Sequence, residues 1–549
     1  MSSRRSKRSF RAWVSFAMGS LAFIFAFVGC RTFASSGVTQ EATDVPAIPP
    51  ASGLEPTQPA PGSSPQAAQA RSQPLSLPTP GDPSLALIPA ARQDINTLED
   101  QTRYSIALNI DPSLRSFQGG ARVEYTNQED VTLDEIYFRL LPNGHKSYGN
   151  GSLKVSEVLL NGEVAPTELS LQDTVLKVKL PESLPPGESA EIELAFEGEV
   201  PVDFGGQSEP AGYGIYNLSQ DVLALSGWYP ILAVYDDQGW NLDPISEIGD
   251  SVYSDTALYS VRVCASDELA LAATGRSIAE QTSDGTTCTQ LESGPTRDFF
   301  LIASPSFQVD SQQVDGVTVN AYSLPGHASA SRQALKIAAD SLRIYNQKFG
   351  PYPYAELDMV DAPMRNALGV EYPGVFLVGD TLYDEPDEAG FAITIAHEAA
   401  HQWWYGVVGN DVFDSPWLDE GLATYSSSLY YEFDRSPEFV NSLFDFWQQR
   451  YDRLKKEGKD DQITAGLEYF EDQGASSVYG TVVYIKAALF FRALRQEIGD
   501  EAFFTALQRY YQEHKYGVAT PTDLLNAFEE AAGKSLEAFY NQWLYTPER

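Results

Sequence analysis

The sequence predicts a multidomain protein: an all-β sandwich or saddle, then a mixed, mostly helical α+β domain, both behind an export signal and a stalk. Three observations predict it. Apolar residues alternate with period two from about 104 to 309 and recur at steps of three and four after about 311. Between 31 and 93 they give way to Pro, Ala, Ser and Gln. With 549 residues, 43% of them hydrophobic, the chain is long enough for two to four cores, since one core rarely grows past ~250–300 residues.

Residues 1–30 read as a signal peptide. Arg4, Arg5, Lys7, Arg8 and Arg11 form a basic start, no acid precedes Glu41, and an apolar run over 12–29 ends at Cys30. Phe27-Val28-Gly29-Cys30 resembles a bacterial lipoprotein box, in which the cysteine carries the lipid, with Phe27 where leucine is usual. The alternative is a single uncleaved transmembrane anchor, because a run of this length just spans a bilayer. Either form predicts a protein at the cell membrane, on its extracytoplasmic side.

Residues 31–93 hold twelve of the 34 prolines, and no aromatic residue occurs between Phe33 and Tyr104. Such a stretch cannot build a core and reads as a flexible linker. Residues 94–310 form the β domain. Segments 104–110, 175–180 and 190–196 alternate, and Asn161-Gly162 between apolar runs marks a hairpin turn. Beyond Cys30 the only cysteines are Cys264 and Cys288. In an exported chain these two can oxidise to a disulfide, which contributes ~3 kcal/mol in the loop-entropy account. Two separate buried thiols are the alternative.

Residues 311–549 carry the helical periods. Leu335, Ala338, Leu342, Tyr345 and Phe349 make one apolar stripe, ended by Gly350-Pro351. Ser436-Pro437 reads as a helix cap and first-turn proline, and Leu524, Leu525, Phe528 and Ala531 mark a further helix. The whole chain has 75 acidic residues against 37 Lys+Arg, a net charge of −38. That balance argues against a nucleic-acid partner, which needs a basic face.

The chemistry concentrates at Ala396-His397-Glu398-Ala399-Ala400-His401. Two histidines four apart on a helix share one face, which suits two imidazoles on one zinc ion, and Glu398 can reach the attacking water without binding the metal. An open catalytic zinc site needs a third protein ligand. Glu420, in Trp417-Leu418-Asp419-Glu420-Gly421, could supply it from a second helix; Asp419 beside it reads as structural. His145, His327 and His514 lack ligand spacing.

These segments resemble the aminopeptidase N family of zinc metallopeptidases, the gluzincins, over roughly 100–545. Leu368-Gly369-Val370-Glu371-Tyr372 is similar to the family's Gly-Ala-Met-Glu-Asn signature. Val483-Tyr484-Ile485-Lys486-Ala487 is similar to its catalytic tyrosine segment, and 417–421 to its Trp-Leu-Asn-Glu-Gly segment. The departures are Leu368, Val370 and Tyr372, which alter the surroundings of the substrate's first side chain but leave Glu371 in place.

The resemblance implies a thermolysin-like catalytic domain with one Zn2+ on His397, His401 and Glu420. It implies Glu398 as general base and Tyr484 as donor to the oxyanion, with Tyr479 a weaker candidate. Glu371 and Gly369 would bind a peptide's free amino terminus. The expected activity is removal of N-terminal residues from peptides outside the cytoplasm. A thermolysin-type endopeptidase and a non-catalytic surface binding module are the alternatives.

Overall fold

The computed structural model describes residues 75–98, 100–203, 213–249, 252–365 and 367–547. The signal segment, Cys30 and the linker up to residue 74 lie outside the described residues. The rest of the expected linker is built into the fold. Leu87 is fully buried, the Ile88 amide donates to the Pro353 carbonyl, and Asp82 caps a short 3-10 turn, Pro83–Ala86. Composition assigned 75–93 to the linker because of its prolines, but the run Leu85-Ala86-Leu87-Ile88 supplies enough apolar surface to dock.

The β domain rests on an eight-stranded sheet. Its order is Arg276–Ser283, Thr286–Glu292, Leu258–Ser266, Arg103–Ile110, Ser116–Thr126, Ser189–Glu199, Ser152–Leu160 and Glu163–Val164. Two four-stranded sheets and a two-stranded hairpin, Tyr235–Asp236 with Gly239–Trp240, complete it, and Ile106, Val123, Phe138, Ile192 and Trp228 share one core. Asn161 and Gly162, both at positive φ, form the two-residue turn that pairs Leu160 with Glu163, as a right-twisting hairpin requires. Cys264 and Cys288 face each other on neighbouring antiparallel strands and form a disulfide.

The second part is a five-stranded sheet under a helical layer. The strand order is Gln308–Val314, Val317–Ser323, Glu356–Ala362, Val375–Gly379 and Gly369–Tyr372, with the last antiparallel at the edge. Gln308–Val314 pairs inside this sheet, so the domain boundary lies just before it rather than at 310. Strand alternation divides the sheet between two cores. Val360, Ala362, Val370, Tyr372, Val375 and Leu377 pack into the β-domain core, while Leu357, Met359, Phe376 and Val378 join the helical core. Period two then places Gly369 and Glu371 on the helical side.

The stripe from Leu335 to Tyr345 is buried on the helix Ala328–Lys348. Ser436 caps Pro437–Lys456, and Thr520 closes a capping box on Pro521–Ala532. Among the described residues one helical stretch, Ser477–Ile498, is long and apolar enough to cross a membrane. Its most apolar window is 78% buried inside the fold, the pattern of a core helix.

Candidate metal centre

The helix Ala389–Ala400 is buried almost all round, which explains its nearly uninterrupted apolar sequence. The Tyr345 hydroxyl donates to the carbonyls of Ala396, at 2.8 Å, and Ser426, at 3.0 Å. It thereby ties this helix to Trp417–Tyr430 beside it. His397 sits in the last turn, and His401 occupies the C-terminal cap position, one turn on. Glu420 lies in the first turn of Trp417–Tyr430. Gly421 permits the close approach on its other side, because a Cβ there would lie 2.7 Å from the Ala487 Cβ.

The two helices bring three acceptor atoms to one point. His397 Nε2 is 3.0 Å from His401 Nε2 and 3.1 Å from Glu420 Oε2, and His401 Nε2 is 3.3 Å from the same oxygen. A tetrahedral zinc ion with bonds of ~2.0–2.1 Å has ligand–ligand edges of roughly 3.3 Å, so this triangle fits one face of such a site. The tautomer fits too. His401 Nδ1 lies 3.0 Å from the Trp404 carbonyl, which can only accept, so Nδ1 carries the proton and Nε2 offers a lone pair. Burial opposes charge on both rings and on Glu420. The contacts with the two imidazoles nevertheless hold Glu420 down at about 2, while burial lowers His397, which favours the neutral ring a metal needs.

Glu398 is buried beside the ligands, and its side chain crosses directly over Gly369. A Cβ at 369 would lie 2.6 Å from the Glu398 Cγ and closer still to its carboxylate, so only glycine leaves that acid its path. Glu371 is 6% exposed and opens on a recess lined by Tyr148, Tyr213, Tyr372 and Tyr405. Its carboxylate comes 3.5 Å from His401 Nδ1, and Asp419 joins the same group. The recess therefore presents the Glu371 carboxylate to an incoming cation, while Asp419 accepts from the Glu420 amide at 2.8 Å. The Tyr484 hydroxyl donates to Glu420 Oε1, and its ring stacks on His397 with centroids 6.1 Å apart. Tyr484 belongs to a π-helical turn, Gly480–Lys486, whose end is pinned by a buried pair, Lys486 Nζ to Asp460 Oδ1 at 3.0 Å. Tyr479 is buried with its ring edge-on to Tyr484.

The structure thus gathers His397, His401, Glu420, Glu398, Tyr484, Gly369 and Glu371 in one site. His327 pairs with the buried Asp361, and His514 packs against Tyr510. Two supporting residues escaped the sequence reading. Gln402 accepts from the Gly374 amide at 2.8 Å and donates to the Tyr372 carbonyl at 3.0 Å, clamping the Glu371 strand to the helix end. Thr424, one turn after Glu420, places its hydroxyl 3.5 Å from His397 Nδ1. A polar residue one helical turn beyond a ligand is the signal that could have found Thr424; nothing local distinguishes Gln402.

Residues 333–543 match the family model described as Peptidase family M1 domain. The chain is 28% identical over 250 residues to Aminopeptidase M1 of Arabidopsis thaliana, which covers 43% of this chain and 27% of that protein. It is 28% identical over 214 residues to Aminopeptidase N of Streptomyces lividans, covering 37% of this chain and 24% of that protein. It thus spans about a quarter of the length of these relatives. An M1 zinc metallopeptidase from Deinococcus radiodurans has the same fold, with a TM-score of 0.59 at 21% identity, over 81% of this chain and 94% of that one.

Proposed function

Because the chain belongs to the aminopeptidase N (M1) family of zinc metallopeptidases, we propose that it removes single residues from the amino terminus of peptides, outside the cytoplasm. The family implies one catalytic zinc ion, and His397, His401 and Glu420 are the donor set that fits it. When bound, zinc supplies Lewis-acid polarisation of the scissile carbonyl and activation of the attacking water. The chain's own residues do the rest. Glu398 takes the proton from the attacking water and passes it to the leaving amine. Tyr484 turns its hydroxyl from Glu420 to the oxyanion that forms on the scissile carbonyl.

The observation that carries the exopeptidase reading is Glu371, a buried carboxylate on the recess beside the ligands. A free α-ammonium pairs with that carboxylate. An acetylated or internal peptide brings no such charge to Glu371, forfeits the pair and still has to desolvate the recess. The basic start, the apolar run and Cys30 support membrane tethering by lipid or by a single helix.

The test compares an amino-acid p-nitroanilide with its N-acetylated form. The wild type should cleave the free form at least ~100-fold faster, the worth of ~3 kcal/mol of lost pairing. Glu371→Ala should erase most of that ratio. Equal rates in the wild type would leave the endopeptidase alternative standing, and purified protein that takes up no zinc would leave the binding module.

A further inference from the structure

The β domain reaches the metal centre through two adjacent residues, Arg297 and Asp298. Arg297 is 2% exposed, and its own carbonyl is fixed by the Ser254 hydroxyl at 2.6 Å. Its guanidinium then crosses into the catalytic domain. Nε donates to the Tyr405 carbonyl at 2.7 Å, Nη2 to the Val407 carbonyl at 3.5 Å and to the Gly517 carbonyl, and Nη1 back to the Ser254 carbonyl at 3.2 Å. These donors go to backbone carbonyls rather than to a carboxylate. Burying a charge without a direct ion pair is expensive. A domain contact needing only adhesion would use apolar side chains, whereas a rigid five-donor fork fixes the positions of several acceptors at once.

What it fixes is the turn that follows the metal helix. Tyr405 sits at φ 112°, a conformation a non-glycine residue holds only when its surroundings impose it. The peptide joining Trp404 to Tyr405 gives its carbonyl to His401 Nδ1 at 3.0 Å and its amide to the Val408 carbonyl at 2.8 Å. The next carbonyl, of Tyr405, is the one Arg297 holds. The Tyr405 hydroxyl donates to Asp298 Oδ2 at 3.0 Å, and its ring lines the Glu371 recess. At Gly409 a Cβ would collide with the Arg297 guanidinium, so the turn is shaped around that side chain.

We propose that Arg297 is a positioning residue for the metal centre: from the β domain it clamps the 404–407 turn whose carbonyl orients His401. The inference rests on the zinc reading above and deepens it, because it makes metal retention depend on a domain that supplies no ligand.

The experiment measures the rate at which zinc-loaded protein gives up its metal to excess 4-(2-pyridylazo)resorcinol. It compares wild type, Arg297→Lys, Gly409→Ala and Tyr354→Phe. Tyr354 donates to the Pro295 carbonyl across the same domain contact without reaching the 404–407 turn. Loss of an outer-shell orienting partner typically weakens metal affinity ~10–100-fold. Arg297→Lys, with unchanged circular dichroism, should therefore release zinc about tenfold faster or more. Tyr354→Phe should match the wild type. If Arg297→Lys does not fold, Gly409→Ala, which displaces the guanidinium without removing its charge, is read in its place. Wild-type retention in the variant so read overturns the proposal, and so does equally fast release from Tyr354→Phe, which would mark general domain loosening. A wild-type protein that takes up no zinc would instead refute the enzymatic reading, and this inference with it.

Discussion

Removing one oxygen atom, in Tyr484→Phe, separates two roles the structure allows that residue. The hydroxyl donates to Glu420 Oε1, the carboxylate oxygen that does not face the two imidazoles. A hydrogen bond to a charged acceptor contributes ~1.5–3 kcal/mol. If holding Glu420 were the residue's whole task, the variant would bind zinc ~10–100-fold more weakly, yet turn over normally once loaded. The proposed mechanism demands a different result. The hydroxyl must leave Glu420 and meet the oxyanion, and a preorganised donor there is worth ~2.7–4 kcal/mol, or ~10²–10³ in kcat. The ring stacking on His397 is retained by phenylalanine, so the loss falls on the hydroxyl alone. The assay is steady-state hydrolysis of an amino-acid p-nitroanilide at saturating zinc, with bound metal counted per chain. The expected outcome is full zinc occupancy, KM within about threefold of wild type, and kcat down ~100-fold or more. A loaded variant with kcat within tenfold of wild type would refute the oxyanion role.

Gly369→Ala drives a methyl group into the path of the Glu398 side chain. It should keep zinc yet lose ~100-fold or more in kcat, the scale of general acid–base catalysis; wild-type turnover would show that Glu398 acts from elsewhere. Asp411 offers a pH test remote from the ligands. Burial first, then Asp414 and Asp243, push its carboxyl up to about 6, against the amides of Asp414 and Phe413. Between about pH 4 and 6 the folded state keeps a proton that the unfolded chain has lost. Stability therefore falls as pH rises through that window, and the full penalty applies above it. Asp411→Asn keeps an oxygen for both amides and removes the charge. It should raise the melting temperature at pH 7.5, by an amount equivalent to about 2 kcal/mol after discounting for solvent screening. At pH 4 it should change little, and an equal shift at both pH values would contradict this account.

Local sequence was sufficient wherever a short-range rule acts alone. The i, i+4 spacing of His397 and His401 sets their shared face whatever surrounds them. Asn161-Gly162 turns a hairpin because both residues tolerate positive φ, and Ser436-Pro437 starts a helix because the cap hydroxyl and the fixed proline φ suit its first turn. Gly369, Glu371 and Tyr484 came from family resemblance; among 29 tyrosines and 75 acids no periodicity marks them. Composition misjudged residues 75–93, because proline content hides a short apolar run, Ala86-Leu87-Ile88, that is buried in the fold.

By itself, then, the sequence determined two domain types, a histidine pair on one helical turn, and a candidate third ligand. The packing of Trp417–Tyr430 on Ala389–Ala400 decided that Glu420 meets those rings within 3.3 Å. The sharing of one sheet between two cores decided that Gly369 and Glu371 face the metal helix while Val370 and Tyr372 do not. Tertiary structure also decided that Arg297, 104 positions before His401 in the chain, holds the turn beside it. The reason is physical. Backbone hydrogen bonding and side-chain period act within a few residues and can be read in order, whereas a site is a convergence of distant side chains, which only the packing of complete elements brings about.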